Sequence, residues 1–250
     1  MRQDVYQTFA VVEDEHWWFR GRRRFIDRLI SRFVRDVGEA SFCEIGCGTG
    51  GNLAMLSAHA PVDAIEMEPY AREYAQARAV PGVRSVQDGS LPDQLPLVGP
   101  YKAVFALDVI EHLEQDCRAL ETLEGLLADD GVLVITVPAY QWMWSRHDEI
   151  NHHVRRYSRA QIVEIVEAAG LQVVYSSYFN TLLAPVAMLA RLAERVIGGR
   201  EANSSSVGLD LPPNWLNRLL TGVFGLEQYL AGTVCIPFGL SVAVVAKRRD

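Results

Sequence analysis

The sequence predicts an α/β fold in which a parallel sheet is covered by helices on both faces. Three observations predict it. Residues 41–52 read as a short apolar strand that runs into a glycine-rich turn and then a helix. Downstream, short apolar or β-branched runs alternate with segments of helical periodicity, as βαβ units require. A last strand-like run, LSVAVVA at 240–246, closes the chain just before Lys247, Arg248 and Arg249.

The elements follow in order. The first forty residues read as helices ahead of the core. Aromatics gather at Trp17, Trp18 and Phe19, while Phe25, Ile26, Leu29, Ile30, Phe33 and Val34 recur at helical spacing with arginines opposite. The aromatic trio reads as a staple onto the core, or as a lid over a ligand. After the glycine turn, a helix is expected over 52–59, a strand over 62–66 and a helix over 70–79. A strand over 82–86, a loop over 87–92 and an apolar, central strand over 102–107 come next. A helix over 111–128, a turn at Asp129, Asp130 and Gly131, and a β-branched strand over 132–137 precede Pro138. A helix over 158–169, with Gly170 as its C-cap, leads to a strand over 171–176. Between that strand and the last lies an insert, 180–238. It holds an apolar helix over 181–197, a polar loop over 200–211 and an amphipathic helix over 215–230. The whole is expected to be a single domain, 1–250, with a helical cap over 1–39, a core over 40–178 and 239–250, and a helical insert over 179–238.

Composition excludes several classes of function. With 49% hydrophobic and 22% charged residues among 250, the chain has the material for a packed core and is not a disordered segment. A net charge of −7 argues against a general nucleic-acid binder, although Arg20, Arg22, Arg23, Arg24 and Arg28 form one basic cluster. The four cysteines form no paired framework and no C-x-x-C motif. No signal-peptide core follows Met1, and no uncharged apolar run reaches the roughly 18–20 residues that span a bilayer. A cytoplasmic location is expected.

The glycine turn carries the first chemistry. Gly46, Gly48 and Gly50 let the backbone turn tightly and approach a ligand closely. Gly46, Gly48 and Gly51 also satisfy the dinucleotide pattern G-x-G-x-x-G, and Glu66 stands where a ribose-binding acid belongs. Glu44 tilts the choice, because an acid just before the glycines suits a cationic cofactor better than a pyrophosphate. The run Glu44-Ile45-Gly46-Cys47-Gly48-Thr49-Gly50 resembles the first motif of the class I S-adenosylmethionine-dependent methyltransferases. Leu107-Asp108-Val109-Ile110-Glu111-His112-Leu113 resembles the motif that follows strand four in that family. The likeness is strongest over residues 40–138. It implies a Rossmann-like, seven-stranded sheet whose last strand is antiparallel.

The resemblance also implies which residues hold S-adenosylmethionine. Glu44 and the backbone of Gly46, Cys47, Gly48 and Gly50 would take the methionyl end. Glu66 would accept from the ribose hydroxyls, and Met67 would pack beside the adenine. Asp88, Gly89, Ser90 and Leu91 lie where the adenine edge binds, with either Asp88 or Ser90 as the matching polar residue. Leu107, Asp108 and Val109 would lie beneath the methionine moiety.

On the acceptor side, Trp18, Tyr140, Trp144 and Tyr157 are candidate substrate-binding residues, near the carboxyl edge where ligands bind in open α/β sheets. A hydroxyl acceptor needs a general base, for which His112, His147 and His152 are the candidates. Metal-ligating types also gather at His147, Asp148, His152 and His153, but loop histidines are common and no metal is expected. The expected function is methyl transfer from S-adenosylmethionine to a small or lipid-like acceptor through oxygen, nitrogen or carbon. A non-catalytic binding protein of the same fold and an NAD-dependent oxidoreductase are the alternatives. The two helices of the insert are expected to roof the acceptor pocket, with Leu182 and Phe224 facing it. Homodimer formation and peripheral membrane contact are the lesser readings of the same apolar surface.

Overall fold

Seven strands form one sheet in the computed structural model, which describes residues 3–197 and 210–249. They are β1 (Phe42–Ile45), β2 (Val62–Ile65), β3 (Val83–Gln87), β4 (Tyr101–Leu107), β5 (Leu127–Pro138), β6 (Leu171–Phe179) and β7 (Ser241–Arg248). Across the sheet the order is β3-β2-β1-β4-β5-β7-β6. Strands β1 to β5 pair in parallel, and β7 enters antiparallel between β5 and β6, as the sequence predicts. The winding reverses between β1 and β4, so the carboxyl ends of these strands open a crevice, the usual place for a ligand in such sheets.

Alternation along the strands divides the core in two. Val104 and Ala106 of β4 join Ile135, Val244, and residues of α5 (Asp116–Gly125) and α7 (Arg159–Ala168), such as Leu120, Leu123, Ile162 and Val166. Ala103, Phe105 and Leu107 face the other way. They meet Phe25, Ile26, Leu29 and Ile30 of α2 (Trp17–Phe33), Leu53 and Leu56 of α3 (Leu53–Ser57), and Phe224 of α9 (Asn214–Gly225). The remaining helices are α1 (Gln3–Val12), α4 (Pro69–Ala77), α6 (Arg146–Ile150) and α8 (Ala184–Ile197).

Several boundaries differ from the sequence reading for local reasons. The helix expected over 111–128 is a 3-10 turn, Ile110–His112, followed by the shorter α5. β5 begins at Leu127 because the Asp129–Gly131 segment is absorbed as an irregularity in its pairing with β4, tied down by a Lys102–Asp130 ion pair. α8 begins at Ala184 with Pro185 in its first turn, where the missing N–H costs nothing. The loop expected over 200–211 lies almost wholly outside the described residues.

The N-terminal aromatics are a staple. His16 caps α2, its ring accepting from Trp18 N at 3.3 Å. Asn217 of α9 accepts from Trp17 N at 2.8 Å and donates to Glu15 O at 2.9 Å. Phe25, Phe179 and Phe224 stack in series at 4.7 and 6.3 Å, and a Cβ at Gly21 would lie 2.3 Å from the Phe224 ring. Glycine at 21 is therefore what lets α9 close on α2. Phe224, expected to roof a pocket, is fully buried core, whereas Leu182 is half exposed. No described helix is long and apolar enough to cross a membrane.

Candidate active site

The glycine turn sits at the crevice. Gly46 N and Cys47 N donate to Ile65 O at 2.8 and 3.0 Å, which pins the turn to the end of β2. Gly46, Gly48 and Gly50 all have positive φ, where a side chain is strained. Their surroundings differ. A Cβ at Gly46 would lie 2.7 Å from Val109, whereas a Cβ at Gly48 would meet nothing within 4 Å. Open space at Gly48 is the cradle a cofactor needs.

Two acids flank that space. Glu66 is buried, with Oε2 accepting from Gly48 N at 2.8 Å and Oε1 from Glu68 N at 2.9 Å. Burial pushes its pKa up, and these backbone N–H groups offset part of the rise. Glu44 is fully buried beneath the turn. Its Oε1 accepts from Asn52 Nδ2 at 2.8 Å and its Oε2 has no partner. The unpartnered buried oxygen of Glu44 is an acceptor without a donor, which suits a ligand that brings N–H or cationic groups and offers nothing to a pyrophosphate.

Burial raises the Glu44 pKa from its ordinary 4.5 to about 8. The folded chain therefore keeps a proton that the unfolded chain loses above about pH 4.5, so stability falls as pH rises between about 4.5 and 8. The ligand-free melting temperature is expected to drop by several degrees across that window. Glu44→Gln should flatten the slope without abolishing it, since Glu66 and Glu111 act with the same sign. Thermal melts of both chains at pH 5 through 8 check this.

The segment after β4 forms the facing wall. Asp108 adopts a φ of +58°, and its carboxylate accepts from Thr136 Oγ1 at 3.0 Å and pairs with buried Arg22 at 2.9 Å. Trp18 lies against that guanidinium, 5.1 Å from ring centre to Cζ. The side chain of Leu107 belongs to the core, and Val109 packs against Gly46. Further along the edge, Met67, Asp88, Gly89 and Ser90 line one groove of about 450 Å³ with Asp93, Gln94, Leu95 and Pro96. Asp88 pairs with Arg72 at 2.9 Å, and Leu91 is buried in the core.

The N-terminal helices supply residues that the sequence reading missed. Buried Glu13 accepts from Thr49 Oγ1 at 2.6 Å and pairs with Arg78, whose Nε donates to Thr49 O at 2.6 Å. Arg23 ties Glu13 O to Gly51 O at 2.8 and 3.3 Å. Tyr6 of α1 lies close enough to Glu66 and Glu68 for their charges to add to the burial that raises its pKa. The glycine turn is thus clamped from outside by the helical cap. Only the arginine cluster of the cap, which includes Arg22 and Arg23, hinted at this, because the partners are distant in sequence.

The loop after β5 holds the residues that the sequence offers for the acceptor. Burial alone would raise the pKa of Asp148. Hydrogen bonds from His153 Nδ1 at 2.8 Å and from Arg156 at 2.7 and 3.0 Å hold it instead below the usual carboxylate range. Val154 N donates to Glu111 O at 2.7 Å, joining this loop to the segment after β4. Burial and the neighbouring His153 ring push the pKa of His112 down to about 4, so it is neutral at pH 7. His147 and His112 have ring centres 6.4 and 4.8 Å from His153. His152 is exposed and contributes its carbonyl, 3.4 Å from His112 Nδ1. Tyr140 stacks on Tyr178 at 5.1 Å, Trp144 is half-buried, and the buried Tyr157 donates to Asp116 at 2.9 Å.

A family model for methyltransferase domains matches residues 18–176. No match was found among curated proteins. Among solved structures, a chain from the complex between the Haloferax volcanii Trm112 methyltransferase activator and a methyltransferase is similar at 17% identity. That match has a TM-score of 0.61 and covers 99% of this chain and 97% of that one. An S-adenosylmethionine-dependent methyltransferase from Clostridium acetobutylicum has a TM-score of 0.61 at 9% identity, covering 98% and 100%. Haemonchus contortus phosphoethanolamine N-methyltransferase 2, solved with S-adenosyl-L-methionine, has a TM-score of 0.56 at 16% identity, covering 89% and 51%. At such identities the likeness is one of fold. The sheet, the acid-flanked glycine turn and the family match together define an S-adenosylmethionine-dependent methyltransferase. The chain belongs to the methyltransferase-domain family, and its cofactor is S-adenosylmethionine.

Proposed function

We propose that the enzyme methylates a small or amphiphilic acceptor bound at the carboxyl edge of β4 and β5. The observation that carries this reading is the junction at Glu111, His112, His152 and Val154, which joins the cofactor wall to a histidine-rich loop. When bound, the cofactor supplies an electrophilic methyl group on a sulfonium. Glu44 and the turn from Gly46 to Gly50 would hold its methionyl end, with Leu107, Asp108 and Val109 opposite. Glu66 would accept from the ribose, and Met67, Asp88, Gly89 and Ser90 would border the adenine. Trp18, Tyr140, Trp144 and Tyr157 would position the acceptor and exclude water, and His112, His147 and His152 serve its proton chemistry. Exposed Val186, Leu189, Trp215 and Leu219 on α8 and α9 support the amphiphilic choice. They are consistent with membrane-surface or homodimer contact through the same face. The chain acts as one cytoplasmic domain on this reading, without nucleic acid.

Transfer of labelled methyl groups to a panel of hydroxyl, amine and carbon acceptors tests it. His112→Ala is expected to lower turnover by about 10²–10⁴ with S-adenosylhomocysteine affinity unchanged. A wild-type chain that methylates no acceptor class would overturn the reading. So would near-normal turnover in the Ala variants of all three histidines.

A further inference from the structure

Among the described residues, Glu111, His112 and His153 bring one ligand atom each to within 4.8 Å of one another. Glu111 is fully buried, and neither of its carboxylate oxygens has a hydrogen-bond partner. Ionised, it lacks donors. Protonated, it lacks an acceptor for its proton. Either state is costly in a packed interior, so the side chain is built for an occupant.

Both histidines are presented as metal ligands are. His153 Nδ1 lies 2.8 Å from Asp148 Oδ1, and Asp148 is itself fixed by Arg156 and Ser145 N. A carboxylate only accepts, so Nδ1 is the donor to Asp148 and Nε2 is the nitrogen left for a ligand. The His152 carbonyl, 3.4 Å from His112 Nδ1, sets the same tautomer there. An acceptor behind the far nitrogen is the arrangement that orients metal-bound imidazoles and raises their basicity. Two imidazoles and one carboxylate suit a first-row divalent ion better than magnesium or calcium, and three protein ligands leave positions open.

We propose that Glu111, His112 and His153 form a divalent transition-metal site whose open positions take the oxygen of the acceptor. This deepens the acceptor-edge reading and rests on it. It selects oxygen among the three acceptor atoms, and it makes His112 a ligand in place of a base. The ion lowers the pKa of the bound hydroxyl, which gives its proton to solvent. The oxygen lone pair then forms the new bond to the methyl carbon. The carbon–sulfur pair leaves with sulfur as a neutral thioether.

The test is made on the tag-free full chain, stripped of metal with a chelator and titrated with Zn²⁺, Mn²⁺ and Co²⁺ in the absence of acceptor. One equivalent should bind per chain, with Co²⁺ giving visible d–d absorption. Glu111→Gln and His153→Gln should each weaken binding by tenfold or more while S-adenosylhomocysteine affinity is kept. His153 lies at the edge of the core, so its variant serves if Glu111→Gln does not fold. Absence of stoichiometric binding, or binding that neither variant weakens, would overturn the site. Metal binding as expected with transfer only to amine or carbon acceptors would overturn the choice of oxygen, and metal binding with no acceptor of any class methylated would instead overturn the acceptor-edge reading.

Discussion

Gly48→Val is expected to remove measurable cofactor binding while the fold survives. The added Cβ meets no protein atom within 4 Å, so it clashes with nothing in the chain. The cost to folding is confined to the φ of +56°, roughly 1–2 kcal/mol for an L side chain in the left-handed region. The valine methyls would then occupy the open space beside the turn, where the proposed site has the cofactor approach the backbone. A loss of about a hundredfold or more in S-adenosylhomocysteine affinity is expected, read by calorimetry beside a circular-dichroism melt. Gly46→Val should behave differently. Its Cβ would lie 2.7 Å from Val109 Cγ2, so that change disturbs the chain itself as well as the ligand.

Phe224→Ala is expected to produce the largest loss of stability. The ring is fully buried, stacked on Phe179, edge-on to Trp17, and seated over Gly21. Truncating such a ring costs about 3–5 kcal/mol, because the walls of the cavity cannot follow it. For a chain of this size that lowers the melting temperature by roughly 6–20 °C. S-adenosylhomocysteine affinity of the folded variant should stay within about threefold of wild type. Leu182→Ser, at a half-exposed position, should move the melting temperature little. An inverted order, with Leu182→Ser the more damaging, would mean that the insert packs otherwise than described.

The core strands were legible because each carries its own pattern. β4 and β7 are apolar on both faces, and the glycines announce a turn whose positive φ strains any other residue. Glu44 stood out in the sequence as an acid just before that turn, and the structure finds it fully buried with one oxygen unpartnered. What escaped was set by contacts distant in sequence. Glu13 meets Thr49 and Arg78, and Arg22 meets Asp108, only because the sheet brings the cap over the turn. The histidine pair shows the limit most plainly. His152 and His153 are adjacent and chemically identical, and spacing cannot say which one joins His112. The φ of +57° at His152 and the grip of Asp148 on His153 decide it. Phe224 was misjudged for a similar reason. Its helix is amphipathic, but only Gly21 on the facing helix shows how close the two can come.

The central claim, that the crevice between β1 and β4 binds S-adenosylmethionine through Glu44, Glu66 and the glycine turn, is tested most directly by calorimetric titration. Wild-type chain and Glu66→Ala would be compared with S-adenosylhomocysteine and with NAD. The account predicts one S-adenosylhomocysteine site per chain and no NAD binding. Glu66→Ala should lose more than tenfold in affinity, since each charge-assisted hydrogen bond to a ribose hydroxyl contributes roughly 1.5–3 kcal/mol. Binding of NAD in place of S-adenosylhomocysteine, or a dissociation constant that Glu66→Ala leaves unchanged, would contradict it.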